Sequence, residues 1–480
     1  MNAVDLVLDE IRQRIVPTRK DEEKIRELQD DLIGRVEKAL RKHRVRATVS
    51  PQGSVVKGTW LRDDVDVDIF VLFPTSVTKE GLANVGLKVA REAMRGFEQI
   101  HRYAEHPYLE CMVPLEGTKV RVDVVPCYHV ERGRWLSATD RTPYHTRYVL
   151  KRLRESASLG NEIRCTKAFL RGLGVYGAEI RVQGFSGYAC ELLTIHFGSF
   201  LGLLNAASKW RGRETVDVEG HYSGREKELR ERFDPVPLIL VDPVDPKRNV
   251  AAALSRQSLG LFVAGARGFL ERPDGKFFFP TVPSPARSRE ELAGKIEAIG
   301  GNILFLRIGK VNTRAPDVLW GQLYKTRDAI RALLEEFDFR VHRTWVWSDE
   351  KEHNVLAFKL ESLSLSETGL RRGPPVHMKS DSDRFLKKSM ISPTTVFGPW
   401  IDKGRWVIEC KRKYVKARDL LMEKLKEGGE ELGVAKLVAM SLRQGFEVLT
   451  DEGVWDLYRS DKEFASALTC FLVGKPPWLL

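Results

Sequence analysis

Asp66 and Asp68 stand two residues apart in the run VDVDIFVLF, residues 65–73. A stretch so rich in Val, Ile and Phe predicts a buried strand. Side chains at i and i+2 share a face of a strand, so both carboxylates project together while Val67 and Ile69 point the other way. Adjacent carboxylates on an apolar strand repel each other and resist desolvation. A hard cation between them removes both penalties, and oxygen-only ligands suit Mg²⁺. Alternating acids on the solvated face of an edge strand are the other reading of the same spacing. Upstream, Gly53 and Ser54 can open a short helix whose first N–H groups and hydroxyl would meet an anion. A phosphate seat shortly ahead of a metal site describes a nucleoside triphosphate pocket. The alternation of TKVRVDVV, residues 118–125, places Val120, Val122 and Val124 on one face and Arg121, Asp123 and Val125 on the other. A strand over 108–113 would join it through a turn at Glu116 and Gly117. With Asp123 added, three carboxylates would serve a two-metal, in-line nucleotidyl transfer.

These groups need a frame, and the rest of the chain predicts one. Thr18 with Asp21 caps a helix whose apolar stripe is Ile25, Leu28, Leu32, Val36 and Leu40; its other face is charged and solvated. A first strand is expected over 45–49, a helix over 55–61 and a longer helix over 79–99. Pro126 is expected to end the strand that carries Asp123, since proline donates nothing to a sheet ladder. A helical region follows over about 146–258. Within it, Lys167 lies on an amphipathic helix over 161–173, and 188–204 reads as a buried helix interrupted by Glu191 and His196. By composition alone Lys167 reads as exposed and Tyr176 as core. Arg248 and Asn249 are placed at the start of another helix after two Asp-Pro turns. Past residue 260, strands over 303–308, 341–348 and 354–360 around a helix over 320–337 give a β-α-β-β order. RRGPPVHMKSDSDRFLKKS, residues 371–389, is basic and broken by Pro and Gly, and reads as a clamp for an RNA backbone or as a solvated linker.

At 480 residues the chain exceeds one ordinary core, and about three or four domains are expected. Its 42% apolar content excludes a disordered chain, and a formal charge of +12 favours a polyanionic partner. The six cysteines, at 111, 127, 165, 190, 410 and 470, have no C-x-x-C spacing, so reduced cytoplasmic thiols are expected in place of zinc or disulfides. Asp5, Asp9 and Glu10 interrupt the first residues, so no signal peptide is expected, and Glu191 and His196 break the most apolar later stretch, 188–204, so no membrane span is expected. Two motifs mislead. GLGVYG, residues 172–177, follows a helix, the reverse of the strand-then-helix context of a dinucleotide fingerprint. GFSGY, residues 184–188, fails the nucleophile-elbow pattern at its fifth position, and Ser186 reads as a helix N-cap.

GSVVKGTWL, then DVD on a strand, then VDVVPCY, together resemble the nucleotidyltransferase superfamily that includes DNA polymerase beta. More narrowly the chain resembles the class I, archaeal-type CCA-adding enzymes, which are tRNA nucleotidyltransferases. KAFLRGLGVYGAE, GFSGYACELL and VDPVDPKRNVAA follow in the family's order, so the resemblance is specific over about residues 1–260 and looser beyond. It implies an α+β multidomain protein: a polymerase-beta-like catalytic head over 1–145, a helical neck over 146–258, and an α+β, tRNA-binding body and tail over 259–480. It implies two Mg²⁺ ions on Asp66, Asp68 and Asp123, the last activating the primer 3′-hydroxyl through its metal. Gly53 and Ser54 would seat the β- and γ-phosphates. Lys57, one helical turn on, and Lys167 would be triphosphate contacts, and Tyr176 a phosphate or sugar contact. Thr142 and His145, in a TPYH match to the family's TPFH-like motif, would touch the nucleotide, and Arg248 would help recognise the incoming base. Where the family often has glutamate as first metal ligand, this chain has Asp66, with Asp63 and Asp64 flanking it. The implied partners are the tRNA acceptor arm and 3′ end, CTP and ATP, with no membrane and with a homodimer left open. A poly(A) polymerase or other terminal RNA nucleotidyltransferase, and a non-catalytic RNA-binding protein on the same scaffold, are the rival readings.

Overall fold

In a computed structural model, which describes residues 3–103, 107–313 and 315–480, the chain divides into two units, Met1–Thr281 with Lys475–Leu480, and Val282–Gly474. The first unit opens with α1 (Ala3–Ile15), which buries Leu8, Ile11 and Ile15. In α2 (Arg19–Lys42) the Thr18 hydroxyl accepts from the Asp21 N–H while the Asp21 carboxylate accepts from the Thr18 N–H. Such a cap contributes about 1 kcal/mol. The predicted stripe is buried at Ile25, Leu32, Val36 and Leu40, with Leu28 partly so.

β1 spans Thr48–Gln52, three residues later than expected. The Val45 N–H still bonds to the Leu40 carbonyl and Arg44 has φ 54°, so the chain is only then leaving α2. α3 (Gly53–Lys57) is shorter and earlier than the predicted helix and ends at Gly58, in the left-handed region. β2 (Asp66–Phe73) follows, then α4 (Lys79–Ala93), which stops short of residue 99. Residues 98–103 instead form β3 (Glu98–Tyr103), an edge strand that the sequence reading misses. β4 (Pro107–Leu115) and β5 (Thr118–Tyr128) form the expected hairpin, with both Glu116 (φ 44°) and Gly117 (φ 83°) left-handed. β5 runs through Pro126 where a stop was expected. Among the described residues the β4 ladder reaches only to Leu109–Val124, so none of them on that side asks Pro126 for an N–H.

The sheet order is β1-β2-β5-β4-β3, parallel at β2–β5 and antiparallel elsewhere. Val67, Ile69, Val122 and Val124 pack against Leu32, Val36, Leu82 and Val89 of α2 and α4. Full burial of each such side chain contributes about 1.5–3 kcal/mol. This apolar face fixes the sheet's orientation, and the period of two then turns Asp66, Asp68 and Asp123 to the opposite face.

The helices that follow are α5 (Thr142–Glu155), α6 (Leu159–Gly172), α7 (Gly187–Phe197) and α8 (Phe200–Ala207). Ser186 caps α7 as expected, its hydroxyl accepting from the Ala189 N–H. The single buried helix expected over 188–204 is two helices bent by 90°, because Ser199 caps a new start at α8. Nor is the region wholly helical: β6 (Glu214–Asp217), α9 (Glu226–Phe233) and β7 (Leu238–Val241) include a parallel strand pair. Arg248 and Asn249 are not at a helix start: the Arg248 N–H closes a turn onto the Asp245 carbonyl, and Asn249 forms an antiparallel bridge with Val241. Asn249 Oδ1 accepts from the Leu240 and Ala251 N–H groups, and α10 (Arg256–Glu271) begins seven residues later behind its own Ser255 cap. Phe169, Phe200, Phe262 and Phe269 lie at the heart of this core.

The second unit contains α11 (Arg289–Ala298), β8 (Ile303–Ile308), α12 (Pro316–Glu336), β9 (Val341–Ser348) and β10 (Asn354–Leu360), the predicted β-α-β-β order. There follow β11 (Thr368–Pro375), α13 (Lys379–Ile391), β12 (Thr395–Asp402), β13 (Arg405–Lys411), α14 (Ala417–Lys424), α15 (Lys436–Gln444), β14 (Phe446–Thr450), α16 (Trp455–Ser460) and α17 (Lys462–Val473). One sheet has order β14-β8-β10-β9 and a smaller one β11-β13-β12. The basic stretch 371–389 is therefore no linker; it is the end of β11 and most of α13, with Arg371, Arg372, Lys387 and Lys388 exposed. Among the described residues no single helix is long and apolar enough to cross a membrane.

Candidate active site

The parallel pairing of β2 with β5 sets Asp68 beside Asp123 and Asp66 beside Arg121. β4 adds Glu110 opposite Asp123. Arg121 pairs with the Asp66 carboxylate, and Arg102 forms two hydrogen bonds to Glu110 at 3.0 and 3.1 Å. Asp123 feels the Arg121 charge but no direct pairing, and among the described residues its buried Oδ1 has no hydrogen-bond partner. Burial, and then the neighbouring charge of Asp68, push the Asp123 carboxyl up to about 7. Burial and then Asp66 push Asp68 up to about 6, against the opposing pull of Lys57, Arg121 and Lys167. With Asp66 turned to Arg121, no three His, Cys, Asp or Glu side chains among the described residues form a ready-made metal cage. The donor set nevertheless fits a hard divalent cation: paired carboxylates, one orphaned buried oxygen, and ionisation resisted by burial and by the carboxylates' mutual repulsion.

Gly53 opens α3 against this face. Its φ is +76°, and a Cβ there would lie 1.8 Å from Asp68 Oδ2. Only glycine permits both the backbone conformation and the approach. Ser54 is the next residue of α3, and Thr142 opens α5 one turn ahead of His145. The Tyr176 hydroxyl lies beside Gly187 at the start of α7, and so does Lys167 Nζ. Among the described residues none of the Ser54, Thr142 and Tyr176 side chains is hydrogen-bonded to the carboxylates.

Two hubs that the sequence reading misses organise the remaining predicted residues. Lys57 Nζ donates to Glu191 Oε2 at 2.6 Å, and Lys167 Nζ to Glu191 Oε1 at 3.3 Å. Lys167, exposed by composition, is only 2% exposed, because the fold supplies that carboxylate and the Thr59 carbonyl at 3.1 Å. At the other hub, Asp242 accepts from His145 Nε2 and Arg248 Nη1, each at 2.9 Å, from the Tyr188 hydroxyl at 3.2 Å and from the Val244 N–H. His145 stacks on Tyr188 with centroids 4.1 Å apart. Burial works against the Asp242 carboxylate, but the His145 and Arg248 interactions outweigh it and hold the carboxyl at about 2. The sequence signal for Glu191 was present: a charge inside an apolar helix requires a partner. For Asp242 the aspartate-proline turn masked it, since turn capping alone accounts for an aspartate there.

Three family models match the chain: "Nucleotidyltransferase domain" over residues 33–154, "tRNA nucleotidyltransferase, second domain" over 161–279, and "CCA-adding enzyme, C-terminal domain" over 307–451. The CCA-adding enzyme of Methanosarcina barkeri is 37% identical over 94% of this chain and 95% of its own. That of Methanopyrus kandleri is 36% identical over 99% of this chain and 98% of its own. A solved structure of the Cid1 poly(U) polymerase with MgGTP bound aligns with 57% of this chain and 96% of that chain, at a TM-score of 0.46 and 14% identity. The nucleotidyltransferase superfamily generally uses divalent metal ions. By identity and by coverage of both chains, this protein belongs to the CCA-adding enzyme family of tRNA nucleotidyltransferases.

Proposed function

We propose that this protein adds C, C and A to the 3′ end of tRNA, without a nucleic-acid template, from CTP and ATP with two Mg²⁺ ions. The observation that carries the reading is the β2–β5 register, which sets Asp68 against Asp123 beside Gly53. Asp66 and Asp68 would hold both ions and Asp123 one of them. The chemistry that Mg²⁺ supplies there is a lowered pKa for the primer 3′-hydroxyl and neutralisation of charge on the triphosphate.

The protein's own groups bind and orient. Gly53 brings the first turn of α3 against Asp68, so that Ser54 and the free N–H groups seat the β- and γ-phosphates. Lys57 and Lys167 supply positive charge on the triphosphate side, with Tyr176 next to Lys167 as a phosphate or sugar contact. Thr142 and His145 line the nucleotide from α5. Arg248, held at the same carboxylate as His145 yet 38% exposed, is poised to touch a base. Fixing nucleotide and primer in one geometry supplies most of the rate. In the second unit the exposed arginines and lysines of 371–389 would contact tRNA phosphates, a term that weakens steeply with salt.

The test is incorporation on tRNA lacking its 3′ end. Three added residues and a stop support the proposal, whereas a long ladder would point to a poly(A)-type polymerase. Asp68→Ala should abolish CMP and AMP incorporation with tRNA affinity little changed; retained incorporation would refute the metal assignment.

A further inference from the structure

Glu191 is wholly buried on α7, flanked by the buried Ala189, Cys190, Leu192 and Leu193. An unpaired carboxylate there would cost several kcal/mol, so the fold must compensate it. The compensation comes from α6, α3 and the residues just after α3. Oε2 accepts from Lys57, and Oε1 accepts from the Thr59 hydroxyl at 2.7 Å and from Lys167. Lys167 uses its remaining hydrogens on the Thr59 carbonyl and, at 3.2 Å, the Thr59 hydroxyl oxygen Oγ1. Among the described residues Lys57 Nζ bonds to Glu191 alone, which leaves hydrogens for an incoming anion.

We propose that Glu191 is a positioning residue for triphosphate binding: its carboxylate holds Lys57 Nζ and Lys167 Nζ together and aimed beside the Asp68 face. The inference rests on the reading of Lys57 as a triphosphate contact with Lys167 as the buried positive group behind it. Lys167 is buried and Lys57 partly so; burial works against a charge on Lys167, and the Glu191 carboxylate between the two amino groups opposes that and offsets their mutual repulsion. Glu191 itself stays ionised. Burial raises its carboxyl, but the two lysines prevail and hold it at about 2.

The test uses the full chain with Mg²⁺ and measures binding of CTP, ATP, CMP and tRNA by calorimetry. Glu191→Gln keeps the shape and removes the charge. Its Kd for CTP and for ATP should rise equally, by roughly ten-fold or more, the equivalent of losing about 1.4 kcal/mol. Its affinities for CMP and tRNA should hold within about two-fold, near the precision of such differences. In steady state the KM for both triphosphates should rise more than kcat falls. Glu191→Asp, which keeps the charge one methylene shorter, should lie between and decides the matter if the glutamine variant does not fold. Weakening of all four ligands alike would mark a merely structural role and overturn the proposal. Lys57→Met separates the two claims. If it weakens CTP while both Glu191 variants leave CTP unchanged, the positioning role fails alone. If neither residue's replacement matters, the triphosphate reading fails with it.

Discussion

Replacing Asp123 by asparagine removes a carboxylate whose buried oxygen has no partner among the described residues, and it should separate stability from activity. The carboxyl is raised from 3.8 to about 7, by burial first and by the charge of Asp68 second. Between those values the folded protein keeps a proton that the unfolded chain has lost. The metal-free protein should therefore lose stability as pH rises from about 4 to about 7 and level off above. At about 1.4 kcal/mol per pH unit, the full shift corresponds to roughly 4 kcal/mol at pH 8. Asp123 is partly exposed through the rest of its side chain, and solvent screening leaves roughly half, ~2 kcal/mol. For a unit of this size that is about 4 °C in Tm. Thermal unfolding in EDTA should find Asp123→Asn about that much more stable than the parent at pH 8, with the gap closing toward pH 4. Added Mg²⁺ should raise the parent's Tm by mass action and the variant's much less, while nucleotide addition by the variant is lost. A variant no more stable than the parent at pH 8, or a gap that ignores pH, would refute the picture of a strained buried carboxylate.

Two further substitutions probe the frame. In Gly53→Ala the new Cβ would lie 1.8 Å from Asp68 Oδ2 in a left-handed backbone, so Asp68 must move. Addition of CMP and AMP should fall about 100-fold with tRNA binding intact, and near-normal incorporation would show that Asp68 need not stand where it does. Asp242→Ala strips His145 and Arg248 of their shared acceptor. It should lower stability by roughly 3 kcal/mol, read as a fall in Tm, and impair the addition of both nucleotides; an unchanged melt would show that the hub holds nothing together.

The fold and the site were legible to different depths. The DVD and VDVV strands, the capping box at Thr18, the 116–117 turn and the β-α-β-β order of the second unit all follow from patterns a few residues long. Side-chain alternation, cap chemistry and turn residues act on neighbours, so the sequence displays them directly. Errors gathered where a local pattern was cut by something distant. β5 passes through Pro126 because the β4 ladder has ended, and the apolar run 188–204 bends because Ser199 starts a new helix. Arg248 was misplaced because Asn249 spends its side chain on β7 and the following turn.

The amino-acid order by itself determined the chemistry available to this protein: carboxylates in pairs on one strand face, a glycine-serine opening to a short helix, and the motifs shared with the CCA-adding family. Only the tertiary structure decided which charges meet. Asp68 and Asp123 are joined by a strand register across fifty-five positions of chain, Lys167 is buried because Glu191 on another helix receives it, and His145 and Arg248 share Asp242. The reason is range: side-chain periodicity is written between neighbours, whereas the field at a buried charge is set by whatever the fold brings within a few ångströms of it.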